Sequence, residues 1–196
     1  PGTDTCNLAI SDSTAITKVL ESVIECEFPD LIKNNDMQIK ISGCMNSCGQ
    51  HGMANIGFHG SSLRAKDKRV LPALQVLLGG GTVGDGIGRA SDKVIKVPSK
   101  KGPDVLRYVL GDYALNGSSN ERFNDYYDRQ GKIYFYDLLK PLADIDNLQD
   151  RDFIDWGREE QFKTEIGVGE CASVIVDLVG ILFLESEEKI ANAKAA

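Results

Sequence analysis

The stretch Gln38-Ile39-Lys40-Ile41-Ser42-Gly43-Cys44-Met45-Asn46-Ser47-Cys48-Gly49-Gln50-His51-Gly52 changes character in its middle. Its first five residues alternate apolar and polar side chains, the pattern of a short strand. The rest is glycine, serine and asparagine around two cysteines, a composition that favours a loop or a first helical turn. A cysteine pair displayed at a strand end predicts a chemically active loop carried by a sheet.

Working outward, the N-terminal side predicts an amphipathic helix. Ser11 to Thr14 form its start, and Ala15, Val19, Leu20, Val23 and Ile24 recur at helical period until Pro29. Cys26 falls at the far end beside Phe28 and reads as a small buried hydrophobe. On the other side, Ala54 to Phe58 and Val70 to Leu78 predict two strands joined by the solvated basic loop Arg64 to Arg69. Gly79 to Gly88 is glycine-rich, fit for sharp turns or a close backbone approach, but it lacks a dinucleotide fingerprint. Pro103 opens a second helix through Val105, Leu106, Val109, Leu110 and Tyr113, and a third covers Arg122 to Arg129 before Gly131. Tyr134 to Gly169 is acidic, aromatic and irregular, predicting loops with short helices, and Glu170 to Lys194 carries a long helical pattern. The fold class expected is α/β, a mixed sheet with packed helices in residues 1–135, followed by an acidic and helical extension over 136–196.

Composition narrows the function. The chain has 196 residues, a net charge of -7 and a pI near 4.9, so nothing on the scale of the whole chain attracts nucleic acid. The longest apolar run, Ala172 to Leu184, is broken by Ser173, Asp177 and Gly180 and falls short of the roughly 20 residues a membrane span needs. The N-terminus shows no leader pattern, and the chain is expected to be a piece of a longer polypeptide. Five cysteines, an odd number in a chain able to build a core, favour metal-ligating thiols in a reducing cytoplasm over a disulfide framework.

Cys44 and Cys48 are spaced so that two thiolates converge on one inorganic centre, with small neighbours Gly43, Ser47 and Gly49 exposing backbone amides to it. By themselves these residues leave three readings open: unrelated thiols, a zinc site on Cys44, Cys48 and His51 with a fourth ligand, or iron chemistry. His51 also reads as a loop histidine. Arg89, Lys93 and Lys96 read either as partners of an anionic ligand or as a solvated basic face. Cys171, at a predicted helix start, reads as a packed thiol or a redox one.

The whole motif, Cys44-Met45-Asn46-Ser47-Cys48-Gly49-Gln50 with Ala54-Asn55-Ile56-Gly57-Phe58 after it, resembles the site of the sulfite and nitrite reductase family, which carries siroheme and a four-iron four-sulfur cluster. Pro1-Gly2-Thr3-Asp4-Thr5-Cys6-Asn7-Leu8-Ala9 is similar to the family's first cysteine segment, whose first cysteine would fall one position before Pro1. Gly79-Gly80-Gly81, Gly84-Asp85-Gly86 and Lys96-Val97-Pro98 continue the likeness through about residue 135.

The resemblance implies that Cys6, Cys44 and Cys48 are cluster ligands and that Cys48 also joins cluster to siroheme iron, making it the catalytic residue. It implies that Asn46, Ser47, Gly49, Gln50 and Arg89 line the macrocycle or cluster. Met45 replaces the family's usual proline without removing a ligand. The reaction implied is six-electron reduction of sulfite to sulfide or of nitrite to ammonia, with electrons from a separate ferredoxin-like donor. Because the family's substrate-holding half is missing here, siroheme and the cluster are expected in the full-length parent, and the chain alone is expected neither to carry them nor to turn over. The competing expectation is a non-catalytic zinc or iron–sulfur module on Cys6, Cys44, Cys48 and His51.

Overall fold

The computed structural model describes residues 2–30, 37–84 and 86–164. The helical pattern of Glu170 to Lys194, and Cys171 with it, lies outside them.

Four strands form the main sheet in the order β1-β2-β3-β6, with β1 at Ile39–Ser42, β2 at Ile56–Arg64, β3 at Val70–Leu78 and β6 at Asp92–Pro98. β1 runs parallel to β2, and the other pairs are antiparallel, so the sheet is mixed as expected. β2 and β3 form the expected hairpin, closing at Arg64 opposite Val70. β4 (Gly81–Gly84) and β5 (Ile87–Arg89) form a separate ribbon, which the glycine-rich stretch builds through turns at Gly79, Gly81, Gly84 and Gly86, all with positive φ. β6 went unread in the sequence because Asp92, Lys93 and Lys96 interrupt its apolar residues. Its register shifts between Val76 and Leu77 of β3, which breaks strict alternation.

The helices are α1 (Ser13–Glu27), α2 (Gly102–Asn116), α3 (Phe123–Gln130) and α4 (Lys132–Leu139). Asp12 caps α1 by accepting from the Ala15 amide at 2.9 Å, and Pro103 sits in the first turn of α2, where its missing N–H costs nothing. Alternate strand residues point to one face. Ile56 and Phe58, Val76 and Leu74, Ile95 and Val97 therefore meet Ile16, Leu20, Leu106, Leu110, Tyr126 and Phe135 from the helices in one core. Leu139, Leu142 and the partly buried Trp156 join the same core, so residues beyond 135 pack onto the body before them.

Cys26 corrects the expectation made for it. The buried stripe of α1 is Ser13, Ile16, Leu20 and Val23, and Cys26 falls off that stripe and is exposed.

Candidate metal centre

The parallel β1–β2 pairing decides where the cysteine loop goes. β1 ends at Ser42, in register with His59, and the chain then turns through Gly43 and Cys44 over the edge of β2. Gly60 faces this turn closely: a Cβ there would collide with the Gly43 carbonyl oxygen and Ser11 Oγ, and a Cβ on Gly57 would collide with the His51 carbonyl. These two bare positions let the loop lie against the sheet.

The loop holds itself by local bonds. The Gln50 amide donates to the Ser47 carbonyl at 2.7 Å, and the Gly49 amide donates to Ser42 Oγ at 3.0 Å. Ser47 and Gln50 adopt left-handed backbone, φ 63° and 56°, a conformation unusual for residues with side chains. Cys44 is buried, 8% exposed, while Cys48, Asn46 and Gln50 are exposed and Ser47 is half-buried.

Cys6 reaches this loop from the N-terminus. Its turn is closed by Cys6 N–H donating to the Gly2 carbonyl at 2.9 Å and Ala9 N–H donating to the Cys6 carbonyl at 3.1 Å. The Gly43 carbonyl then accepts from both Ile10 (2.8 Å) and Ser11 (3.1 Å), which sets the Cys6 turn beside the Cys44 loop. The structure thus brings the segments of Cys6, Cys44 and Cys48 together, and all three thiols are free.

His51 is buried rather than displayed. Its Nδ1 lies 2.8 Å from Ser42 Oγ and its ring packs on His59, centroids 4.8 Å apart. Burial, then the neighbouring His59 and Lys93, lower its pKa from 6.5 to about 4, so it is neutral near pH 7. His59, which the sequence reading passed over, is buried too. Its Nδ1 is 3.0 Å from the Gly60 carbonyl, and its Nε2 has no partner among the described residues. Its pKa is also lowered, by burial first and then by Lys93 and Lys96. The signal that would have found it is register: once β2 extends past Phe58, His59 falls opposite Ser42 and Gln75.

Arg89 stands elsewhere in the structure. Its Nε donates to the Gly79 carbonyl, and its two terminal nitrogens donate to Asp128 at 2.9 and 2.8 Å, tying β5 to α3.

Three thiols with small neighbours suit soft metal chemistry and the iron–sulfur group the sequence implies. Among the described residues, no three His, Cys, Asp or Glu side chains are gathered as a ready metal site. The donor types fit such a group.

No family model matches the chain. It is 32% identical over 130 residues to the hemoprotein beta-component of NADPH sulfite reductase from Nitrosomonas europaea, covering 66% of this chain and 21% of that protein. Ferredoxin–nitrite reductase from Synechococcus elongatus is 32% identical over 113 residues, 56% of this chain and 20% of that protein. Among solved structures, Mycobacterium tuberculosis NirA superimposes with a TM-score of 0.59 at 25% identity, over 68% of this chain and 25% of that one. A mixed α/β fold shared with NirA, and the sequence likeness to both enzyme types, fit a fragment of the nitrite and sulfite reductase family. The chain spans only about a fifth to a quarter of the length of these relatives.

Proposed function

We propose that this chain is the thiolate-bearing segment of a siroheme-dependent sulfite or nitrite reductase, supplying Cys6, Cys44 and Cys48 to a four-iron four-sulfur cluster. The observation that carries the reading is the Gly43 carbonyl, which fastens the Cys6 turn against the Cys44 loop. Two segments far apart in sequence are thereby held side by side, which supports a shared inorganic centre between them.

In this reading Asn46, Ser47 and the Gln50 side chain would present donors around Cys48, the thiolate that would hold the bound group, while the Gly49 and Gln50 amides, bonded to Ser42 Oγ and the Ser47 carbonyl, keep the loop's shape. The bound group supplies one-electron steps for the six-electron reduction of sulfite or nitrite. The residues of this chain would hold and orient it, with the three thiolates as ligands and the buried neutral imidazoles of His51 and His59 bracing the loop from the sheet side. Arg89 serves the siroheme carboxylates only by giving up Asp128. The electron donor is a separate ferredoxin-like protein, the compartment is the cytoplasm, and the isolated chain does not turn over. The cofactor-bearing part is proposed within residues 1–135, and the described residues after it pack on the same core. No helix among the described residues is long and apolar enough to cross a membrane.

The test is anaerobic reconstitution of the chain with ferrous iron and sulfide, followed by iron analysis of wild type and of Cys44→Ser and Cys48→Ser. Retention of iron that either substitution abolishes supports the reading. Equal iron in all three removes it.

A further inference from the structure

Residues outside the cysteine loops also hold Cys6 in place. Ile154 pairs with Gln161 in an antiparallel bridge and the Phe162 amide donates to the Phe153 carbonyl at 2.7 Å, so 154–161 closes into a tight hairpin. It turns at Gly157, φ 69°, where an added Cβ would press on Ala15 in the first turn of α1. The hairpin is therefore seated directly on the start of that helix.

Two of its side chains reach the N-terminal turn. Asp155, 4% exposed, accepts from the Asp12 amide at 2.7 Å through Oδ2, while its Oδ1 has no partner among the described residues. Arg158 donates to the Thr3 carbonyl at 2.9 Å and to Thr3 Oγ1 at 3.2 Å, and its Nε lies 3.9 Å from Asp12 Oδ2. Between hairpin and turn is a cleft of about 710 Å³ whose lining includes Cys6, Asn7, Ile10, Asp155, Arg158 and Phe162.

Cys6 thus lies between two fastenings. Gly43 holds the chain after it through Ile10 and Ser11, and the hairpin holds Thr3 before it and Asp12 beyond. The Thr3 amide also donates to the Ser11 carbonyl at 3.2 Å, so losing the hairpin's hold loosens the turn toward the cleft without freeing it. The hairpin lies beyond residue 135, outside the cysteine motif's resemblance.

We propose that the 154–161 hairpin is a clamp on the Cys6 turn, with Arg158 and Asp155 as positioning residues that hold Cys6 beside the Cys44 loop. Its consequence for a metal rests on the reading of Cys6 as a ligand; the clamp itself does not.

Alkylation of the metal-free chain by iodoacetamide, followed residue by residue with mass spectrometry, tests it, because Cys26 and Cys48 are exposed internal references. The Arg158 side chain is about half exposed and outside the hydrophobic core, so Arg158→Ala leaves the fold intact. In that variant the Cys6 rate rises about tenfold, the scale of one lost charged hydrogen bond, while Cys26 keeps its rate. Arg158→Lys, which keeps a cationic donor, recovers most of the protection, and Asp155→Ala moves Cys6 in the same direction as Arg158→Ala. An unchanged Cys6 rate in Arg158→Ala overturns the clamp, as does a fall in the urea unfolding midpoint large enough to account for the faster labelling, which marks general loosening. Iron retention after reconstitution is read separately. A chain that shows the labelling pattern but holds no iron keeps the clamp and loses the ligand reading.

Discussion

The Ile10 amide donates to the Gly43 carbonyl at 2.8 Å, and through that bond the turn carrying Cys6 lies beside the loop carrying Cys44. The junction works because Gly60, on the neighbouring strand, leaves room for it. Gly60→Ala forces a methyl group against the Gly43 carbonyl and Ser11 Oγ, backbone on one side and a buried hydroxyl on the other. The expected loss is about 1–3 kcal/mol of stability, with faster alkylation of Cys44, read by urea unfolding and thiol labelling. An unchanged unfolding midpoint contradicts the junction.

The two buried histidines give the fold a pH dependence with a definite sign. His51 titrates near 4 in the folded chain and near 6.5 when unfolded, and His59 is shifted the same way. A group whose folded pKa is depressed is bound to protons more readily by the unfolded chain, so its neutral form stabilises the fold. That contribution is complete above about pH 6.5 and is lost as pH falls toward 4. Urea midpoints from pH 7 down to about pH 4.5 fall more steeply in wild type than in His51→Gln. Identical slopes refute the assignment.

Arg89 and Asp128 form a bidentate pair on the surface, 2.9 and 2.8 Å, partly open to solvent. Such pairs contribute modestly, and a double-mutant cycle of Arg89→Ala and Asp128→Ala is expected to give a coupling of about 1 kcal/mol. A coupling of zero, with Arg89→Ala alone lowering cofactor retention, places Arg89 on the ligand instead.

Asp112 gathers two phenols at the far side of the core: Tyr126 donates at 2.5 Å and Tyr134 at 2.8 Å. Tyr126 is fully buried, and burial followed by the Asp112 bond raises its pKa. Asp112→Ala leaves that hydroxyl without this acceptor and is expected to cost about 2 kcal/mol by chemical unfolding, with Cys6 and Cys44 labelling unchanged. A neutral substitution contradicts the role.

How far the sequence could be read follows from which signals are local. The helix from Ala15, the proline-led α2, the hairpin of β2 and β3 and the cysteine loop at the end of β1 all carry periodicity or turn chemistry within a short window, and each is present. β6 is masked by its own lysines, and its bulge breaks the alternation that would have marked it. His59 and Asp155 could not be found locally, since one depends on strand register and the other meets Asp12 across 143 residues of sequence. Cys26 was misplaced because one turn of drift carries a helical residue from core to solvent. The two cysteine segments were readable one by one, yet the bond that joins them is made by backbone, which leaves no mark in the sequence.

The most direct test of the central claim is anaerobic reconstitution of the chain with ferrous iron and sulfide, read by absorption, iron and acid-labile sulfide. The account predicts sulfide-to-iron charge-transfer absorption with iron and sulfide in equal amounts, lost in Cys44→Ser and in Cys48→Ser. A chain that stays colourless, or that takes up zinc through the same cysteines and excludes iron and sulfide, contradicts it.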